Sequence, residues 1–152
     1  MTQNEPGEDP MSVFAIFNEI GIVNQLATAV LAASLPEGVH PSHFSIINHL
    51  VRLGDGKTPI RIAGAMQVTK NTMTHSLRVL ESRGFIEVRA NPDDGRGKLV
   101  FLTARGQEFR EQAIMAVGRQ IDQLITPDLR ERLVRIKPDL VAIRSHLDNN
   151  RL

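Results

Sequence analysis

Two threonine-capped segments in close succession, followed by two β-rich runs around a polar turn, constrain this chain more than any other feature. Thr58-Pro59 opens the first segment, with Ile60, Ile62, Ala63 and Met66 as its apolar positions. A threonine cap followed by proline at the first helical position is a helix start, since the hydroxyl accepts an orphan amide and proline needs no partner there. Thr69 then caps a second helix that ends at Gly84, with Met73, Leu77 and Leu80 as its inward stripe. Helices joined by so short a turn cross steeply, which leaves one face of the second free to project. Beyond Gly84, Phe85-Ile86-Glu87-Val88-Arg89 and Lys98-Leu99-Val100-Phe101-Leu102 flank Asn91 to Gly97, and Asp94-Gly95 is the expected hairpin tip. A helix, a sharp turn, a projecting helix and a basic-tipped hairpin predict a module that docks on duplex DNA.

At 152 residues the chain is long enough for one domain with a real core. Cysteine is absent, which excludes disulfides, thiolate metal sites and thiol redox sensing. The expected organisation is an acidic, disordered tail over residues 1–10 and a single domain over 11–152. Within that domain 11–34 and 104–152 form dimerisation helices, and 41–103 form the DNA-binding lobe. The tail carries Glu5, Glu8 and Asp9 with no base, unlike a targeting segment, so a cytoplasmic location is expected. Overall charge is nearly balanced, at 18 bases and 17 acids. From Asp55 to Arg105, however, nine bases face five acids, leaving the rest of the chain with an excess of acids. That is the footprint of one segment meeting phosphates while others meet protein.

Met11 to Ala33 is apolar around much of a helical wheel, with Phe14, Phe17, Ile20, Val23, Leu26, Val30 and Leu31. Asn18-Glu19 and Asn24-Gln25 near its centre would be costly in lipid, so a buried helix is expected rather than a membrane span. One small domain rarely covers so much apolar circumference, which points to a second subunit. His40-Pro41 opens the next helix, reaching about Leu53, with Phe44, Ile47, Leu50 and Val51 inward. After Thr103 a long helix places Ile114, Val117, Ile121 and Leu124 at helical spacing. Thr126-Pro127 opens the last helix, where Leu129, Leu133, Ile136, Leu140, Ile143 and Leu147 step by four and three. That spacing suggests a helix seam, with Pro138 off the stripe and expected to kink the helix rather than end it.

The run Ile62-Ala63, Val68-Thr69, Thr74, Leu77, Leu80-Glu81, Gly84-Phe85-Ile86, then Asn91-Pro92-Asp93-Asp94-Gly95-Arg96 and Leu102-Thr103 with Gly106, resembles the MarR family of bacterial transcription regulators. The resemblance extends over nearly the whole chain. It implies a mainly α winged helix-turn-helix fold with a small β-hairpin wing. It also implies a triangular homodimer, with the first and the last two helices of each subunit interleaved. Each recognition helix would enter a major groove, and Arg96 would sit in or beside the minor groove, with Asp94 holding it. His75 stands where the family often has arginine, and Gly95 where it often has the first base of the wing. A histidine can still donate to a base or a phosphate.

Candidate DNA-contacting residues on the projecting helix are Lys70, Asn71, Thr72, Thr74, His75 and Arg78, with Thr69 as cap and possible phosphate ligand. Asp94, Arg96 and Lys98 are the candidates on the wing. Asp94 could serve the turn, orient Arg96, or both, whereas a long cation at an exposed tip contributes little to folding. The expected partner is double-stranded DNA carrying a pseudo-palindromic operator, bound by a homodimeric repressor. The alternative is a winged-helix docking or dimerisation module that does not bind DNA. The resemblance also implies a small-molecule effector, for which Phe14, Phe17, His43 and Ile47 are weak candidates and otherwise core residues. No cofactor and no metal is expected. His40, His43 and His49 lack a cysteine or carboxylate partner at ligand spacing, and Gly56-Lys57-Thr58 lacks the earlier glycine of a phosphate loop, since Val51 stands there. No nucleophile, base and orienting acid assemble, so an enzyme is not expected.

Overall fold

The computed structural model describes residues 10–150, and the acidic segment ahead of them lies outside the described residues. Six helices and two strands follow in the order α1 (Pro10–Ser34), α2 (Pro41–Leu53), α3 (Pro59–Met66), α4 (Lys70–Ser82), β1 (Ile86–Asn91), β2 (Asp94–Leu102), α5 (Ala104–Leu124) and α6 (Pro127–Asn149). The chain is thus mainly helical with a β-hairpin wing, as expected. It divides into two compact units, with the boundary inside α5 between Val117 and Gly118.

The first unit is organised by a core of Val39, Ile46, Ile47, Leu50, Ile62, Ala63, Met73, Leu77, Leu80, Phe85, Ile86, Val100 and Phe109. Each large aliphatic side chain removed from water here contributes about 1.5–3 kcal/mol, so the four-residue stripes of α2 and α4 decide how those helices seat. Phe85 and Phe109 stack with ring centroids 4.3 Å apart. Their stacking depends on Gly106, where a Cβ would fall inside the van der Waals shell of the Phe85 carbonyl oxygen. Thr103 completes that joint, donating to the Gly84 carbonyl at 2.6 Å and accepting from the Gly106 amide at 3.0 Å.

The caps follow the sequence. Thr58 accepts from the Arg61 amide, Thr69 from Thr72 and Thr126 from Leu129. Between α3 and α4 the chain turns through Gln67, whose left-handed backbone (φ 54°) caps α3 and donates to the Ala63 and Gly64 carbonyls. The expected face of α3 needs one correction, because Ile60 is exposed while Ile62 and Ala63 are buried. Ile60 follows Pro59 in the first turn, where it borders the open groove beside α4.

The hairpin is antiparallel, pairing Ile86 with Leu102, Val88 with Val100 and Ala90 with Lys98. Its tip is not Asp94-Gly95. Asn91 pairs with Asp94, so Pro92 and Asp93 make the turn. The proline fixes a negative φ at the first corner position, and the Asn91 side chain accepts from the Asp93 amide at 3.1 Å, so the chain reverses before reaching the Asp-Gly pair. A third short partner joins the wing at its base, where Lys57 bridges Val100 through the Val100 amide and the Lys57 carbonyl (2.9 Å).

In α1, Phe14 and Phe17 are 64 and 46 % exposed, so within this chain neither is a core residue. The helix is long and apolar enough to cross a membrane by length and composition alone. Of the expected stripe on α5, Ile114 and Leu124 are exposed, whereas Gly106, Phe109 and Ala113 are buried. The second unit contains α6, which runs through Pro138 without ending and buries no residue. Its stripe from Leu129 to Leu147, Val134 and Val141 aside, is uniformly 40–49 % exposed.

Candidate nucleic-acid interface

Recognition of duplex DNA needs a rigid element bearing donors and a second element that fixes its register on the backbone. Helix α4 has the first property. Its buried side, Met73, Ser76, Leu77 and Leu80, clamps it to the core, and the opposite side presents Lys70, Asn71, Thr72, His75 and Arg78 to solvent. Thr74 is half-buried and donates its hydroxyl to the Lys70 carbonyl at 2.9 Å. Thr69 spends its hydroxyl on the helix, accepting from the Thr72 amide at 3.2 Å and lying 2.9 Å from the Thr72 hydroxyl. It acts as the cap, while the remaining amides of the first turn still point outward from the positive end of the helix dipole.

The wing supplies the second element. Three extra residues, Gly95, Arg96 and Gly97, lie on β2 between the Asn91–Asp94 and Ala90–Lys98 pairs. Such a bulge re-aims a side chain, and the one it carries is Arg96. Asp94 Oδ1 accepts from the Arg96 backbone amide at 3.1 Å. Its contact is with the main chain of Arg96 and not with the guanidinium, so it shapes the bulge from within. Gly97 permits this, since a Cβ there would come within 2.9 Å of Asp94 Oδ2 and 3.2 Å of the Asn91 Cβ.

Between these two elements lies a groove of about 550 Å3, bordered by Lys70, Thr74 and Arg78 from α4 and by Asp94, Arg96 and Lys98 from the wing. Thr58, Pro59 and Ile60 close its end. Asn71, Thr72 and His75 are outside the groove lining but on the same exposed helix. Among the described residues, none of Lys70, Arg78, Arg96 and Lys98 forms an ion pair. Arg89 contrasts with them. It is held by Glu87 at 2.8 Å and lies over the Phe101 ring at 4.7 Å. The hydrogen bond between the two lowers the Glu87 carboxyl and raises the Arg89 guanidinium from their ordinary values.

Two acids that sequence reasoning passed over set the angle of the wing. Glu81 accepts from the Val88 amide at 3.2 Å, tying β1 to the recognition helix, and Asp55 accepts from the Leu102 amide at 3.0 Å. Glu81 is exposed near the end of α4, and Asp55 lies in a Gly-Asp-Gly helix stop. Asp55 carries no signal in sequence, because it acts on an amide far along the chain, whereas Glu81 acts just across the turn into β1 and stands in the quoted motif without a role of its own.

The effector candidates do not converge. Ile47 is fully buried in the core, His43 borders a different cleft on α4, and Phe14 and Phe17 line neither. A cleft of about 360 Å3 does lie between α1 and α2, but its walls are Asn24, Ala27, Thr28, Leu31, Phe44, Ser45, Asn48, His49, Arg52 and Met66. The periodicity that marks apolar positions finds the core, whereas this cleft is lined by the neighbouring, mixed positions. The described residues contain no group of three or more His, Asp or Glu able to hold a metal ion.

Residues 37–97 match the MarR family. The chain is 30 % identical over 122 residues to the multiple antibiotic resistance protein MarR of Escherichia coli, covering 75 % of this chain and 84 % of that protein. The crystal structure of that protein without ligand is similar with a TM-score of 0.69 at 27 % identity, over 81 % of this chain and 94 % of the other. A mutant of the same E. coli protein, crystallised with operator DNA, is similar with a TM-score of 0.62 at 27 % identity, over 88 and 99 % of the two chains.

Proposed function

The chain belongs to the MarR family of winged-helix, DNA-binding transcription regulators, and from that premise we propose that it is a homodimeric repressor of a pseudo-palindromic operator, released by a small-molecule effector. The observation that carries the reading of its DNA contacts is the groove between α4 and the wing, where Lys70, Arg78, Arg96 and Lys98 outnumber the acids Glu81 and Asp94 and none of the four is held in an ion pair among the described residues. Cations left unpaired by the fold contribute nothing to it and are suited to displacing counterions from phosphates. Lys70, Asn71, Thr72, Thr74, His75 and Arg78 are the residues assigned to the major groove and its phosphates. Arg96 and Lys98 are assigned to the wing contact, with Asp94 shaping the bulge and Thr69 capping the helix. That a mutant of the E. coli relative was crystallised with operator DNA supports DNA as the partner.

Domain roles follow the division into elements. Residues 41–103 form the DNA-binding lobe, and 11–34 with 104–152 supply the dimer contacts. Support for the latter is the run of apolar residues left exposed on α1 and the even exposure of the α6 stripe. A second copy would cover both, which also accounts for an apolar α1 without a membrane. Occupying duplex excludes other proteins from it, so repression is the simplest output, exerted in the cytoplasm where the chromosome is.

The effector belongs in the cleft between α1 and α2. Arg52, Asn48, Asn24 and Thr28 offer polar groups above Ala27, Leu31, Phe44 and Met66, a combination suited to a small anionic molecule with an apolar body. Selection of bound fragments from the source genome, followed by competition with unrelated duplex, tests the function. Enrichment of an inverted repeat supports it, and uniform binding at low salt contradicts it.

A further inference from the structure

Helix α4 has a second cleft on its other side, and what fills the boundary between it and α2 is histidine. This cleft, about 550 Å3, is lined by Gly38, His40, Ser42, His43, Thr72, His75, Ser76 and Val79. It is separate from the groove facing the wing and from the cleft between α1 and α2. His43 is its deepest member, with 3 % of its surface exposed. It is not idle there, since its Nδ1 accepts the His40 backbone amide at 3.1 Å and so caps the first turn of α2. The His40 and His43 rings lie 5.5 Å apart, centroid to centroid. On the α4 side, Arg83 donates from Nη2 to the Glu37 carbonyl at 2.6 Å, which anchors a permanent cation beside the cluster.

We propose that His43 is an acid-sensitive latch, whose neutral imidazole seats the recognition helix on α2 and whose protonation unseats it and weakens operator binding. The chemistry is direct. Only an imidazole with a bare Nδ1 can accept the His40 amide, and adding a proton there sets one N–H against another. The new charge would stand in a buried site whose surroundings are basic. The groups acting on His43 are His40 at the cap of its own helix and His75 and Arg83 from α4, each of which disfavours the charged form. No carboxylate from α1, α4 or β2 is among them. The pKa of His43 is accordingly held below the ordinary histidine value, first by burial and then by these three groups.

The sign follows from linkage. A histidine lowered in the folded state stays neutral there while the unfolded chain takes up its proton from about pH 6.5 downward. The latch is therefore at full strength above that pH and weakens as pH falls toward the lowered folded value. An opened α4 cannot fit the groove, so apparent affinity falls with the fraction still seated.

The inference rests on the DNA-binding reading above for one readout only. Binding to the selected operator is measured by fluorescence anisotropy from pH 7.5 to 5.5 at fixed ionic strength, for the parent and for His43→Asn, whose amide oxygen occupies the place of Nδ1 without titrating. The parent should lose several-fold more affinity across this range than the variant, and equal losses overturn the latch. DNA-free protein gives the second readout, by NMR titration of the histidine ring protons together with amide exchange. His43 should titrate below the ordinary value, with protection across 70–76 lost in step. A normal or raised value, or unchanged protection, overturns the proposal even if His43→Asn fails to fold. Should the parent bind no duplex at any pH, the functional reading fails, and the DNA-free titration still decides the latch.

Discussion

Arg96 is carried by a bulge, exposed and without an ion pair, so the fold does not need its side chain. Arg96→Ala should leave thermal stability within about 0.5 kcal/mol of the parent. It should weaken binding to all duplexes and reduce the salt slope by about one. Anisotropy titrations at several salt concentrations check this, and an unchanged slope would remove Arg96 from the interface. Gly106 is the opposite kind of residue. Gly106→Ala pushes a methyl into the Phe85 carbonyl and against Leu102, and should cost about 1–3 kcal/mol or more by chemical denaturation. The two also differ in legibility. An unpaired arginine in a basic hairpin is visible in the sequence, and so are Lys70, in the first turn after the Thr69 cap, and Arg78, which helical spacing turns away from Met73 and Leu77. Gly106 sits in a helix where glycine has no local purpose, and only the approach of Phe85 explains it.

At the level of elements, the recognition helix and the wing act as one body because Glu81 accepts the Val88 amide. Glu81→Ala removes that acceptor on an exposed face, so stability should drop by no more than about 1 kcal/mol. The wing should nevertheless loosen, seen as faster amide exchange over 86–91 and a several-fold weaker operator complex. Unchanged exchange would mean that strand pairing alone sets the wing. Helices were legible from their caps, since threonine or histidine followed by proline marks a start whatever the tertiary context. The hairpin was legible as a hairpin, but its tip was displaced. Asp94-Gly95 has the residue pair that two-residue turns favour, yet Pro92 and the Asn91 side chain impose an earlier reversal. The cleft between α1 and α2 was legible only in part, because the apolar pattern picks out Leu31, Phe44 and Met66 but not the polar Asn24, Thr28, Asn48 and Arg52 that share its walls.

For the whole molecule, the apolar spacing of α6 was plain in the sequence, and what it packs against was not, since a seam looks the same whether its partner is in the same chain or another. Leu133→Glu with Leu140→Glu places two charges on that stripe, where each side chain is already about 40 % exposed. If a second copy covers it, light scattering should report a monomer and operator binding should fall by at least about a hundredfold, through loss of the linked second half-site. A dimer that survives both changes would assign the seam elsewhere. The central claim is that two copies hold their α4 helices a fixed distance apart. It is tested most directly by measuring affinity for the selected operator before and after inserting about five base pairs, half a turn of duplex, between its half-sites. The account predicts that binding collapses to the level of a single half-site and recovers partly when a full turn is inserted; affinity indifferent to the insertion would contradict it.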